Sequence, residues 1–297
     1  MTRLISRLSD LGTRYRAVYC DLWGCLHNGL AAYPDAVAAL QAFRATGGKV
    51  ILLTNAPRPK SSIKAQITRL GVPPDAWDDI ATSGDSAQYA LLAGAVGHRV
   101  HHIGAQPKDD AFFTDFAADL EDLRAKGPPI TRVALEEAEG IVCTGPVDEF
   151  NDKPEDYRTS FLYAKAKGMK LLCANPDLVV DLGDRRIFCA GALAEYYTKM
   201  GGESLYFGKP HPPIYDLARR RLTALDSGIT DEEILCIGDG IGTDIAGGGQ
   251  EGLDTLFLTE GLMAGKFGAP DALDPEKVET FLASEGCNAT FAMGFLR

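Results

Sequence analysis

Short apolar runs, each followed by a turn and a helical pattern, recur along the chain. Ala17–Cys20 precedes a helix-like stretch over 34–45, and the run 50–53 precedes one over 61–70. Gly140–Cys143 precedes 154–167, and 169–173 follows at once. The run 100–103 is weaker, 234–237 leads into 243–247, and 255–258 closes the series. None alternates apolar with polar residues. Strands covered on both faces read this way, as in parallel sheets. Their alternation with helices predicts βαβ units and an α/β fold. Outside the run 100–103, residues 84–139 carry no clear pattern, nor does the C-terminal stretch, and no Ser/Gly linker separates domains.

Ligands of parallel sheets collect at the carboxyl ends of strands, so the residues after each run are the candidates. Asp21-Leu22-Trp23-Gly24 follows the first run and Thr54-Asn55 the second. Gly238-Asp239-Gly240-Ile241-Gly242-Thr243-Asp244 follows 234–237, and Gly208-Lys209-Pro210 stands before the helical stretch at Pro212. Each has an ordinary reading alone. A strand-end Asp caps a helix or turns the chain, a Thr-Asn pair makes a turn, and a lysine is solvated. Together they place three carboxylates, a hydroxyl, an amide and a lysine where a ligand would sit.

Composition narrows the classes. A chain of 297 residues fits one large or two ordinary domains. With 45% hydrophobic and 24% charged residues, it is neither a low-complexity nor a collagen-like chain. Lys+Arg 30 against Asp+Glu 41 leaves a net charge of -11, which repels phosphate backbones, so no nucleic-acid partner is expected. A local basic pocket for a small anion remains compatible with it. No window has the roughly 18 apolar residues of a membrane span, so no membrane partner is expected. The first ten residues lack the apolar core of a secretory signal. The seven scattered cysteines include no CxxC pair. They suit a reducing, cytoplasmic compartment and small apolar core positions, not a disulfide framework or a zinc site.

The chemistry open to this set is phosphoryl transfer. Asp21 can attack phosphorus and form an aspartyl phosphate. Such a site needs a hard cation, and Mg²⁺ takes carboxylates, waters and substrate oxygens. Asp239 and Asp244 can supply further carboxylates. Thr54, Asn55 and backbone N–H groups can hold phosphoryl oxygens, and Lys209 can neutralise Asp21 and the transferring group.

Asp21-Leu22-Trp23-Gly24-Cys25-Leu26, Leu52-Leu53-Thr54-Asn55, Gly208-Lys209-Pro210 and Gly238-Asp239 with Thr243-Asp244 resemble, in this order, the four motifs of the haloacid dehalogenase (HAD) superfamily of phosphohydrolases. The long insertion 82–205 resembles the C2a-type cap of class IIA members, which include nucleotide, pyridoxal-phosphate and phosphoglycolate phosphatases. Within it, Asn175-Pro176-Asp177 looks like that cap's Asn-Pro-Asp segment. The run 189–193 with Glu195 looks like its glycine-containing return into the core.

The resemblance implies a HAD-like Rossmannoid core over 1–81 and 206–297 with an inserted α/β cap over 82–205. It implies Mg²⁺-dependent hydrolysis of a small phosphate monoester (a sugar phosphate, nucleotide or cofactor phosphate); caps of this type often mediate dimers, so a homodimer through the cap is one of the oligomeric states it leaves open. Asp21 matches the nucleophile and metal ligand, and Trp23 a position whose backbone carbonyl binds Mg²⁺. Thr54 and Asn55 match the phosphate-contacting pair and Lys209 the motif lysine. Asp239 matches a metal ligand, Asp244 the second acid of the last motif, and Asn175 and Asp177 match substrate contacts.

One position departs from the pattern. Phosphatases of this family carry Asp two residues after the nucleophile, to protonate the leaving oxygen and later activate water. Trp23 stands there and cannot move a proton. Two alternatives follow: a phosphometabolite-binding protein without turnover, or a metal-independent dehalogenase, though dehalogenases keep no acid pair like Asp239 and Asp244. His27 is a substitute acid or a loop-packing residue. His211 borders the phosphate or makes a turn, while His101 and His102 are structural or surface residues. Asp181 and Asp184 read as loop charges. Gly247-Gly248-Gly249 lacks the register of a dinucleotide loop and the lysine of a P-loop, so no NAD or ATP cradle is expected.

Overall fold

The computed structural model describes residues 2–182 and 185–297; Asp184 lies outside them. In chain order the strands are β1 (Arg3–Leu4), β2 (Ala17–Cys20), β3 (Lys49–Thr54), β4 (Asp79–Thr82), β5 (Arg99–Ile103), β6 (Thr131–Arg132), β7 (Gly140–Cys143), β8 (Lys170–Cys173), β9 (Val179–Leu182), β10 (Arg185–Phe188), β11 (Glu203–Tyr206), β12 (Ile234–Gly238), β13 (Asp254–Leu258), β14 (Gly268–Ala269), β15 (Ala272–Leu273) and β16 (Phe291–Met293).

The chain divides into two compact units. The first takes Met1–Thr54, Lys64–Ala81 and Tyr215–Arg297, the second Asn55–Ile63 and Thr82–Ile214. Residues 55–63 and 206–214, counted with the core in the sequence reading, therefore group with the second unit. Part of the cause is local. The Gly84 N–H donates to the Ala56 carbonyl, and the Lys60 N–H donates to the Asp85 carboxylate. These bonds tie 55–63 to the helix Ser83–Leu92.

In the first unit, seven strands run in the order β1-β16-β13-β12-β2-β3-β4. β2 pairs in parallel with β3 and β12, and β12 with β13. Every residue of β2 and β12 is buried, which is why both read as unbroken apolar runs. After β2 the chain builds outward through β3 and β4; after β12 it builds the other way through β13 and β16. The strand order thus reverses between β2 and β12, the crevice where such sheets bind ligands. The helix Pro275–Ser284 starts on Asp274, whose carboxylate accepts the Glu276 and Lys277 N–H groups. It packs Val278 and Leu282 with Phe257 and Phe267.

The second unit holds a parallel sheet in the order β11-β8-β7-β5-β6 and the antiparallel hairpin β9–β10. Ile141, Cys143, Leu171 and Cys173 pack with Phe161, Leu193 and Tyr197. Val142 and Leu172 pack with Leu91, Val100, Phe112 and Phe207. Successive residues of β7 and β8 therefore enter different apolar clusters, which removes any alternation from the sequence. Phe161 lies on the helix Arg158–Ala166, and Leu193 and Tyr197 lie on Ala190–Lys199. The segment 189–195, which resembles a return into the core, instead begins the helix Ala190–Lys199 of the second unit. Leu193 and Tyr197 stand four apart and so share one buried face. Among the described residues, no helix is long and apolar enough to cross a membrane.

Candidate active site

In the first unit, the site starts where two neighbouring strands end together. Cys20 of β2 stands beside Ile237 of β12, and the next N–H, that of Asp21, donates to the Ile237 carbonyl at 2.9 Å. One residue past Gly238 comes Asp239. Ligand atoms of Asp21, Asp239 and Cys25 all lie within 4.8 Å of one another. Asp239 and Cys25 are buried and Asp21 nearly so. Burial and the nearby charges of Asp239 and Asp21 push the Cys25 thiol well above its ordinary pKa, so it stays protonated.

Glycines make room for these carboxylates. A side chain at Gly24 or Gly261 would run into the Asp239 carboxylate, and one at Gly238 into Asp244. Gly24 also has φ +72, a left-handed turn that glycine adopts without strain. Asp239 accepts the Leu262 N–H at 2.8 Å. Asp244 is not among the three converging residues. Its carboxylate instead accepts the Gly240 N–H and the Thr243 hydroxyl, each at 3.2 Å. It closes a π-helical turn over Ile241–Ile245, where the Ile245 N–H reaches the Gly240 carbonyl. Thr54 ends β3, the strand beside β2, and is buried.

Trp23 is 39% exposed and meets His27 edge-on, with ring centroids 5.5 Å apart. His27 is buried, and its Nδ1 accepts the Gly29 N–H at 3.1 Å. An acceptor nitrogen carries no proton, and burial lowers the His27 pKa to about 4. The imidazole is therefore neutral near pH 7 and packs the loop.

In the second unit, Asn55, Asn175, Asp177 and Lys209 come together. The Asn55 amide nitrogen donates to the Asp177 carboxylate at 2.8 Å and to the Lys209 carbonyl at 3.0 Å. Its oxygen accepts the Lys209 N–H at 2.7 Å. Asn175 accepts the Asp177 N–H through its side-chain oxygen, an Asx turn. Lys209 is buried. His211 closes a turn onto the Gly208 carbonyl and stacks on Tyr206, with ring centroids 4.8 Å apart.

Sequence reasoning missed the convergence of Cys25 with the two acids and the approach of Gly261 and Leu262 to Asp239. The second had a readable signal, since these residues follow β13 as Asp239 follows β12. It also missed a polar cluster in the second unit. There Thr144 donates to the buried Asp109 at 2.7 Å and bonds His102 Nε2 at 2.9 Å. Burial raises the Asp109 pKa and lowers that of His102 to about 4.

A family model described as haloacid dehalogenase-like hydrolase matches residues 18–115, and one described as HAD-hydrolase-like matches 206–281. A solved hydrolase of the haloacid dehalogenase-like family from Brucella suis 1330 is 37% identical, with a TM-score of 0.82, over 99% of this chain and 100% of that one. The ribonucleotide monophosphatase NagD of Escherichia coli (strain K12) is 26% identical over 247 residues, 82% of this chain and 88% of its own. A glycerol phosphate phosphatase of Mycobacterium tuberculosis, solved in complex with calcium, shares the fold at 23% identity. Its TM-score is 0.63, over 84% of this chain and 67% of that one.

Proposed function

The chain belongs to the haloacid dehalogenase-like hydrolase family, and from that premise we propose that Asp21 is the nucleophile of a Mg²⁺-dependent phosphatase acting on a small phosphate monoester. Its NagD-like relationship makes it a phosphoric monoester hydrolase. The cation, the covalent intermediate and the substrate class of sugar phosphate, nucleotide or cofactor phosphate are our reading. The observation that carries it is the convergence of the Asp21 and Asp239 carboxylates beyond β2 and β12.

The donor set fits a hard divalent cation. Two carboxylates converge, glycines leave space around Asp239, and a soft sulfur is a poor ligand for a hard ion. Asp21, Asp239 and the Trp23 carbonyl would hold the ion, and Asp244 fixes the loop that carries Asp239. Once bound, Mg²⁺ supplies positive charge against the carboxylates and the phosphoryl group.

In the first step an Asp21 oxygen bonds to phosphorus, and the bond to the leaving oxygen breaks. Trp23 offers no proton, so that oxygen takes one from solvent. In the second step water attacks phosphorus, the bond to Asp21 breaks, and inorganic phosphate leaves with the carboxylate restored. The Thr54 hydroxyl and the Lys209 ammonium are suited to stabilise the charge on the phosphoryl oxygens.

Phosphate release from an aryl phosphate, with Mg²⁺ and then with EDTA, tests the cation. Beryllium fluoride, a mimic of the phosphoryl group, should load the wild type but not Asp21→Asn. A folded Asp21→Asn protein with wild-type turnover removes Asp21 as nucleophile. Turnover that survives EDTA points to metal-independent chemistry instead.

A further inference from the structure

The side chain of Asn55 has little left to offer a substrate. A carboxamide has two N–H donors and one acceptor oxygen. In Asn55 one donor goes to Asp177, the other to the Lys209 carbonyl, and the oxygen takes the Lys209 N–H. The orientation is unambiguous. A flipped amide would set its NH₂ against the Lys209 N–H and its oxygen against a carbonyl and a carboxylate. Asn55 therefore pairs with both backbone groups of Lys209 as a neighbouring strand would. The partners are far apart in sequence, at separations of 122 and 154 residues.

Asp177 is held in turn. Its N–H is fixed by Asn175, and Gly191 lies so close to the Pro176 and Asp177 carbonyls that no side chain fits there. Gly208 likewise leaves no room for a side chain, because Pro176, the Asn55 oxygen and the Ser83 hydroxyl close over it. Asn55 and Lys209 are nearly inaccessible, at 6% and 2% exposure. An amide bonded to a carboxylate in so enclosed a place is firmly oriented, since charge-assisted bonds are the stronger kind.

We propose that Asp177 and Asn55 form a latch that sets the backbone position of Lys209, making both positioning residues that do not discriminate between substrates. This rests on the reading of Lys209 as the cation that serves the phosphoryl group. The Asn-Pro-Asp segment then acts on every phosphate monoester alike, because it orders the protein and does not contact the leaving group. Asp177→Ala removes the acceptor and frees one Asn55 donor. Asp177→Asn keeps an oxygen that can accept it.

The experiment measures kcat and KM of wild type, Asp177→Ala and Asp177→Asn on p-nitrophenyl phosphate, glycerol phosphate and a nucleoside monophosphate. Exchange of the Asn55 side-chain NH₂ protons is followed by NMR in the same proteins. Asp177→Ala should lower kcat by about 10- to 100-fold, the scale of a misplaced catalytic group. The loss should be equal on all three esters, with KM little changed. Asp177→Asn should recover part of it. The Asn55 protons should be protected in wild type and exchange faster in Asp177→Ala. Asn55→Ser, which opens the latch from the other side, should give the same uniform loss and guards against a misfolded Asp177→Ala. A change in preference among the esters, with the aryl rate intact, would make Asp177 a substrate contact and overturn the latch. Freely exchanging Asn55 protons in wild type would overturn it as well. If wild type hydrolyses none of the esters, the phosphatase reading fails, and the exchange data still decide whether the latch exists.

Discussion

Replacing Trp23 by aspartate should change which esters the enzyme handles well. The position two residues after Asp21 carries no titratable group, and the nearby His27 is neutral with its Nδ1 occupied. General acid help is worth typically 10²–10⁴-fold, or about 3–5 kcal/mol of barrier. Alkyl leaving groups should lack most of that in wild type, while aryl oxyanions need little of it. A plot of log kcat/KM against leaving-group pKa should therefore fall steeply. Trp23→Asp should flatten the plot, raising alkyl esters by about 10²-fold or more and aryl esters by less than roughly tenfold. The substitution also costs stability. With 39% of Trp23 exposed, roughly 150 Å² of contact is lost. At ~25 cal/mol per Å² the upper bound is about 4 kcal/mol, a melting shift of roughly 10 °C. Rates are therefore compared well below the transition. His27→Gln is the companion, with no change in slope expected. A wild-type enzyme that cleaves alkyl and aryl phosphates equally fast would refute the account of the missing acid.

Gly24→Ala forces a side chain into a left-handed turn, at a cost of about 1–2 kcal/mol, and into the Asp239 carboxylate. Calorimetry should show Mg²⁺ affinity lowered on the order of 10- to 100-fold, the usual effect of disturbing a ligand's support; unchanged affinity would remove Asp239 from the site. Phe161→Ala empties the centre of the second unit's core and should cost about 3–5 kcal/mol in urea unfolding. For pH, the folded pKa of His102 is lowered to about 4 by burial. Between that value and its ordinary 6.5, the unfolded chain binds the extra proton, so the His102 contribution is complete above the window and is lost as pH falls through it. His102→Gln should shallow the acid limb of a melting-temperature profile, and an unchanged limb would contradict the assignment.

The elements legible in the sequence are those covered on both faces. β2 and β7 match the expected runs residue for residue because nothing along them touches water. The residues after β2 and β12 stood out because a carboxylate directly after a buried run is conspicuous. Helix Ser83–Leu92 stayed hidden behind Gly84 and its serines, and Gly191 disguised the helix Ala190–Lys199. Both glycines answer to close backbone approaches, by Arg58 and by Pro176 and Asp177, which local propensity cannot register. The same limit applies to Asn55. Its residue type was legible, but the partners that use up its amide lie more than a hundred residues away.

The pairing of β2 with β12 also bears on how the chain is made. These strands lie side by side in the sheet, yet β12 follows β2 by more than two hundred residues. At about 5–20 residues per second, roughly 10–40 s of synthesis separates them. During that interval β2 has β3 on one side and an open edge on the other, an invitation to wrong partners. The equilibrium cost of so long a detour is small, because each doubling of a loop adds only about 0.6 kcal/mol. Its kinetic cost is larger, since such distant contacts slow folding. A nascent chain halted before Ile234 would carry Asp21 on an incomplete sheet, without the strand that presents Asp239.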